Sequence, residues 1–219
     1  MLARTDLAPL LLRPRLDPKP WGGRALERFG LELPPDETIG ETVATAADAL
    51  VTGGPLSGQS LGDIVAADPT AFLGDRGLAV TGGRPLFPLV VKLLDARENL
   101  SIQVHPDDAA AHAHDRLGKT EAWHVLAAGP GSWLYLGLRP EVAEDAFGDA
   151  CRGGGGTAAQ CLRRIPAIPG ATVLLPAGTA HALGAGVVVY EIQQASDVTY
   201  RLHDWDRRDA AGQPRELHV

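Results

Sequence analysis

Short apolar runs broken by Gly and Pro dominate this chain. In LSIQVHPDD, residues 100 to 108, Ile102 and Val104 alternate with Ser101, Gln103 and His105. An extended segment there turns a hydroxyl, an amide and an imidazole toward one side. The longer stretch PLFPLVVKLLDARENLSIQVHP predicts two strands joined at the polar DAREN turn, the first nearly all apolar and therefore buried. EAWHVLAAGPGSWLYLGL repeats the sequence of strand, Gly/Pro turn and strand, and the region from Cys161 to Leu202 reads as a series of strands. Helical spacing is confined to short pieces. Leu61, Ile64 and Val65 predict a short helix within 59–74 that stops before Pro69. Residues 106–117 place a Pro at the start and acids in the first turn of a second helix, and RPEVAEDAFGDA, 139–150, is a further helical insertion. CRGGGG reads as a break, and residues 1–54, rich in Pro and Gly, read as an extended or irregular segment packing on the rest.

No internal repeat is present, and no alternation of strands with long helices, which excludes a doubly wound parallel fold. The pattern predicts one mainly β domain over 1–219, an antiparallel jelly-roll barrel that buries its strand edges around a central cavity.

Composition sharpens this only in part. With 219 residues, 45% hydrophobic and 21% charged, the chain has material for a sizeable core. A net charge of −7 argues against broad nucleic-acid binding, so an anionic small ligand would need its own local basic cluster. Cys151 and Cys161 match neither a disulfide framework nor a zinc-knuckle spacing and are expected to be reduced. The N-terminal patch LAPLLL is interrupted by Pro9 and lacks a signal-peptide pattern, and no run approaches the roughly 20 apolar residues of a bilayer span. A cytoplasmic location with no membrane partner is the expectation.

The polar face of the 100–108 segment calls for partners, because a buried polar group without one costs free energy. His181 follows a Pro176 and Gly178 turn after an apolar run, and Glu121 lies in GKTEAWHVL. Gln103, His105, Glu121 and His181 together offer an amide, two imidazoles and a carboxylate, a set suited to zinc or another borderline divalent ion. Taken singly, each has a plainer reading: a strand histidine is more often structural, and a strand carboxylate is more often solvated. His112, His114, His124, His203 and His218 are placed in that structural or surface class, and the four Trp residues are assigned to packing.

The run PGATVLLPAGTAH resembles the second cupin motif in the order and spacing of Gly170, Pro176, Gly178 and His181. LSIQVHPDD, LGKTEAWHVL, PAGTAHALG and YEIQQASDVTYRLHDWDR resemble, in order, segments of the type I mannose-6-phosphate isomerases, as do WGG at 21–23 and IGE at 39–41. The resemblance covers nearly the whole chain. It implies a cupin-type jelly-roll barrel with short helical insertions, one Zn2+ per chain, and interconversion of mannose 6-phosphate and fructose 6-phosphate through an enediolate. Carried onto this chain, the metal ligands are Gln103, His105, Glu121 and His181, and the active-site arginine is Arg201. Lys119 and Ser101 match positions near the substrate and are suited to its phosphate. The proton shuttle is left among Glu191, Asp197 and a metal-bound water. RELHV, 215–219, resembles the linker that in family members leads into a second β-domain, and that domain is expected to be absent. Two other readings stand beside the isomerase. One is a catalytically silent cupin that binds sugar phosphate as a sensor or remnant. The other is a metal-dependent cupin oxygenase, disfavoured because Gln replaces the first imidazole of the usual cupin pair.

Overall fold

A computed structural model describes residues 9–112, 116–153, 156–208 and 211–219. Among the described residues, eleven strands form two antiparallel sheets, in the order β1-β2-β3-β10-β5-β8 and β11-β4-β9-β6-β7. The first sheet comprises β1 (Arg15–Gly23), β2 (Ile39–Thr45), β3 (Leu89–Ala96), β5 (Glu121–Ala128), β8 (Thr172–Leu175) and β10 (Val187–Gln194). The second comprises β4 (Ile102–Val104), β6 (Trp133–Leu138), β7 (Leu162–Pro166), β9 (His181–Leu183) and β11 (Tyr200–His203). The chain is mainly β with the cupin arrangement. The two segments predicted as consecutive strands, β3 with β4 and β5 with β6, each cross between sheets instead of forming hairpins.

The inward positions explain why one half of the interior is apolar and the other polar. Register places Leu94 of β3 opposite Val189 of β10, which faces Val125 of β5. One inward row along, Lys92 pairs with Glu191, and Glu191 with Trp123. In the row beyond that, Gln193 pairs with Glu121. Period-two alternation therefore carries each strand from core residues into charged ones at the same end of the sheet. The apolar half packs Trp21, Leu94, Leu100, Trp123, Val125, Leu134, Leu183 and Val189 from both sheets into one core.

Several sequence expectations need correction. Residues 1–54 are not merely extended: β1 and β2 extend the first sheet by antiparallel pairing with each other and with β3. Gly40 permits this, since a Cβ there would lie 2.6 Å from Lys19 and 2.8 Å from the Trp21 ring. The helix expected to stop before Pro69 does so, but a second, unexpected helix begins there. Helix α1 (Leu61–Ala67) stops at Asp68, which then caps a new helix α2 (Pro69–Val80) with Pro at its first position, where the missing N–H costs nothing. The helix predicted over 106–117 is the shorter α3 (Asp108–His112); residues 113–115, including His114, lie outside the described residues. The 139–150 insertion is α4 (Glu144–Gly153), followed by α5 (Thr157–Gln160), with 154–155 of the predicted break also outside the described residues.

Candidate metal centre and its pocket

Three buried side chains from three different segments converge at the polar end of the interior. His105 extends just past β4, Glu121 opens β5, and His181 opens β9. One donor atom from each lies within 4.8 Å of the other two. The turn that presents His181 is tied to the strand that presents His105, because the Gly178 N–H donates to the His105 carbonyl at 2.8 Å. Gly178 adopts φ 84°, a conformation that costs glycine little.

The tautomers follow from the outer contacts. His105 Nδ1–H donates to Val198 O at 3.1 Å, and His181 Nδ1–H donates to Thr179 O at 2.8 Å. Both Nε2 lone pairs are thereby directed at the cluster, as metal-binding imidazoles require. His181 Nε2 lies 3.1 Å and His105 Nε2 3.5 Å from the Glu121 carboxylate. Even so, neither Glu121 oxygen nor His181 Nε2 makes a hydrogen bond of acceptable geometry within the protein. Leaving a buried polar atom unpaired costs about 1–3 kcal/mol, so three such atoms in one place amount to several kcal/mol that a bound cation would offset. Burial, the Lys119 charge and His181 push the His105 pKa down to about 3, which keeps its imidazole neutral. Burial alone would raise the Glu121 carboxyl, but His181, Lys119 and His105 outweigh it and hold it ionised. Two imidazoles and one carboxylate fit a divalent metal.

Gln103 joins this set by register. It pairs with His181 of β9 on one side and with Arg201 of β11 on the other, so Arg201, Gln103 and His181 form one row across the second sheet. Gln103 also lines a cavity of about 350 Å³ with Lys19, Lys92, Ser101, Lys119, Glu191 and Arg201. A larger open groove of about 690 Å³ lies on the outer flank between α5 and β7, beside exposed arginines and away from the donor cluster.

The remaining predicted residues divide by depth. Lys119 is buried against the cluster, its Nζ 3.0 Å from His105 Nε2 and 3.3 Å from Glu121. Ser101 is buried in the cavity wall. Glu191 accepts a hydrogen bond from Trp123 Nε1 at 2.8 Å, so Trp123 does more than pack. Burial and the Glu121 charge raise the Glu191 carboxyl above its usual range, against the pull of Lys92 and Lys119. Asp197 sits at the rim with its side chain 76% exposed, 3.3 Å from Arg116. Arg201 is half-buried. Its Nη1 donates to Glu216 O and its Nε has no partner, while burial and Arg215 lower its pKa.

Lys92 is a site residue that the sequence reading passed over. It lies 3.3 Å from Glu41 and 3.6 Å from Glu191, and although burial works against its ammonium, these two acids raise its pKa overall. Its signal was present: a lysine in the run LVVKLLDA, which was read as buried throughout, needs an acidic partner.

Fold and site together define a cupin with a cluster of nitrogen and oxygen donors that could hold a metal. Residues 10–123 match the family model for the type I phosphomannose isomerase catalytic domain. The chain is 37% identical over 220 residues to the mannose-6-phosphate isomerase ManA of Bacillus subtilis, covering 96% of this chain and 65% of that protein. Its fold superposes on the crystal structure of the mannose 6-phosphate isomerase from Bacillus subtilis with a TM-score of 0.81 at 37% identity, covering 96% of this chain and 66% of the other. A zinc-bound mannose 6-phosphate isomerase structure shares the fold at 19% identity with a TM-score of 0.63, covering 87% of this chain and 69% of that one. This chain belongs to the type I phosphomannose isomerase family, and it spans 65–66% of the length of the curated relatives it matches. Among the described residues, no helix is long and apolar enough to cross a membrane.

Proposed function

We propose that this protein is a zinc-dependent aldose–ketose isomerase that interconverts mannose 6-phosphate and fructose 6-phosphate. The observation that carries this reading is the convergence of buried donor atoms of His105, Glu121 and His181 within 4.8 Å of one another, with both Glu121 oxygens and His181 Nε2 unpaired, beside a cavity whose wall includes Gln103, Lys92, Lys119, Glu191 and Arg201. The names of its relatives supply the substrate class.

Gln103, His105, Glu121 and His181 would hold one metal ion per chain. The bound ion supplies a fixed positive charge that polarises the sugar's oxygens. Moving a carbonyl from C1 to C2 requires removal of a proton beside it, and the resulting enediolate carries charge on oxygen. Glu191 carries that proton between the two carbons. It is fully enclosed, its pKa is raised toward the working range that proton transfer requires, and Trp123 and Lys92 hold it in place. Asp197, the other carboxylate considered, is solvated at the rim and is a weaker candidate. Arg201, next to Gln103 in the sheet, adds positive charge where the oxyanion develops.

A coupled assay for fructose 6-phosphate formation from mannose 6-phosphate, on metal-replete protein, tests this. Turnover is expected. Metal-replete protein that binds mannose 6-phosphate but does not convert it would favour the sensor reading.

A further inference from the structure

The polar end of the cavity continues past the donor cluster to a second group of charges, in which Arg215 has no role assigned so far. Arg215 lines the same cavity as Arg201, although it belongs to the C-terminal segment 211–219. That segment runs along the free edge of β11. The His218 N–H donates to Arg201 O at 2.8 Å, the Arg201 N–H donates to His218 Nδ1 at 2.9 Å, and Arg201 Nη1 donates to Glu216 O at 2.9 Å. Within the otherwise exposed run 211–219, Arg215 is the residue that turns partly inward.

The charge balance at this end is uneven. Asp204, only 5% exposed, accepts from Arg215 Nε and Nη2, both at 2.6 Å, and also from Arg207 Nη2. Among the described residues, Arg201 makes no ion pair, and its Nε is buried without a hydrogen-bond partner. Two guanidiniums thus share one buried carboxylate, and a third, Arg201, stands near them; the other acids near them, Asp206 and Glu216, are exposed. Arg215 Nη1 makes no hydrogen bond among the described residues. Half-buried like charges repel, and such an arrangement persists only where something compensates it. The backbone shows the same tension. Trp205 and Asp206, between Asp204 and Arg207, both adopt positive φ near 57°, which non-glycine residues hold only when their surroundings enforce it. Trp205 Nε1 donates to Leu100 O at 2.6 Å and pins that turn.

Position selects the compensating ligand. Counting across the second sheet, β9 with His181 is followed by β4, β11 and then the C-terminal segment. At about 4.8 Å per strand, the segment's backbone lies roughly 14 Å from β9. A side chain reaching back along the sheet meets the far end of an extended six-carbon sugar whose reacting end lies at the donor cluster.

We propose that Arg215 is a substrate-binding residue that, oriented by Asp204, takes the phosphate dianion of the sugar phosphate at the outer end of the cavity. This builds on the isomerase reading for the substrate's identity, but the anion site stands on its own geometry. Bidentate guanidinium recognition of phosphate accounts for the use of arginine, since a lysine at this place would offer only a point charge.

The test measures calorimetric binding of inorganic phosphate and of mannose 6-phosphate to the metal-replete full chain, together with KM and kcat. Arg215→Ala is expected to weaken both ligands at least tenfold and raise KM by a similar factor, with kcat changed less than threefold. Arg215→Lys is expected to recover part of the loss. Arg207→Ala shares the Asp204 pair but not the cavity, and is expected to change binding less than threefold. Phosphate binding to Arg215→Ala at wild-type strength would overturn the inference. So would an equal loss in Arg207→Ala, which would assign Arg215 to structure through Asp204. Wild-type protein that binds phosphate through Arg215 but does not convert mannose 6-phosphate upholds this inference and rejects the isomerase. Conversion with unchanged KM in Arg215→Ala does the reverse.

Discussion

The cavity has two charged regions built in opposite ways. At the deep end, His105, Glu121 and His181 come from segments locked into or beside strands; both imidazoles are hydrogen-bonded through their outer Nδ1, while His181 Nε2 and both Glu121 oxygens are not hydrogen-bonded. At the outer end, Arg201 and Arg215 line the cavity from an edge strand and the C-terminal segment, and Arg215 shares Asp204 with Arg207 of a strained turn. The first region has an excess of unshared lone pairs and suits a cation. The second has an excess of guanidinium and suits an anion. A substrate with a reactive carbonyl at one end and a phosphate at the other matches the pair, so each region can be broken separately.

The largest effect is expected at the deep end. His105→Ala or His181→Ala should abolish stoichiometric metal binding, read by elemental analysis, and reduce turnover by more than ~1000-fold, because a three-donor remnant loses both affinity and charge placement. Next, Glu191→Gln should lower kcat by about 100- to 10,000-fold with metal content unchanged. Its pH profile sharpens the assignment. To accept a proton Glu191 must be ionised, so in the wild type kcat rises with pH through its raised pKa. That acid limb should lie above the ordinary glutamate value of about 4.3 and vanish in the variant. If the limb survives in Glu191→Gln, another group carries the proton.

At the outer end, Arg201→Ala should cost about 100- to 1000-fold in kcat/KM while leaving the metal bound. Asp204→Asn should destabilise the fold by about 1–3 kcal/mol in denaturant unfolding, since it leaves two buried guanidiniums short of their acceptor. Burial would raise the Asp204 carboxyl, but hydrogen bonds from Arg215 and Arg207 lower it overall. Its stabilisation is therefore complete above the unfolded carboxyl's pKa, about 3.9, and is lost as pH falls through the still lower folded value. The gap between wild type and Asp204→Asn should close only in strong acid. The smallest effect belongs to Asp197→Asn, where a solvated pair with Arg116 is worth less than about 1 kcal/mol, and turnover should stay within about twofold.

The deep region was largely legible in the sequence, because its chemistry is local. The alternation of Ser101, Gln103 and His105 identifies a polar strand face, and the Pro176 and Gly178 turn marks where His181 is presented. Lys92 was missed because an apolar run hides one inward lysine. Its importance appears only when register sets it opposite Glu191. Arg215 was missed for a different reason. RELHV reads as a linker from its resemblance to the family's, and its placement comes from hydrogen bonds to an edge strand that no local pattern encodes.

The sequence by itself determined the strand-rich class, the polar faces and the identity of the donors, since these depend on side-chain alternation and on turn residues that act over a few positions. Only the tertiary structure decided which sheet each strand joins, which donors face a common point, and that segment 211–219 contributes Arg215 to the cavity wall. Those outcomes depend on pairing between residues far apart in the chain, such as Glu121 with Gln193 and Gln103 with Arg201, and register is set by the burial of whole faces.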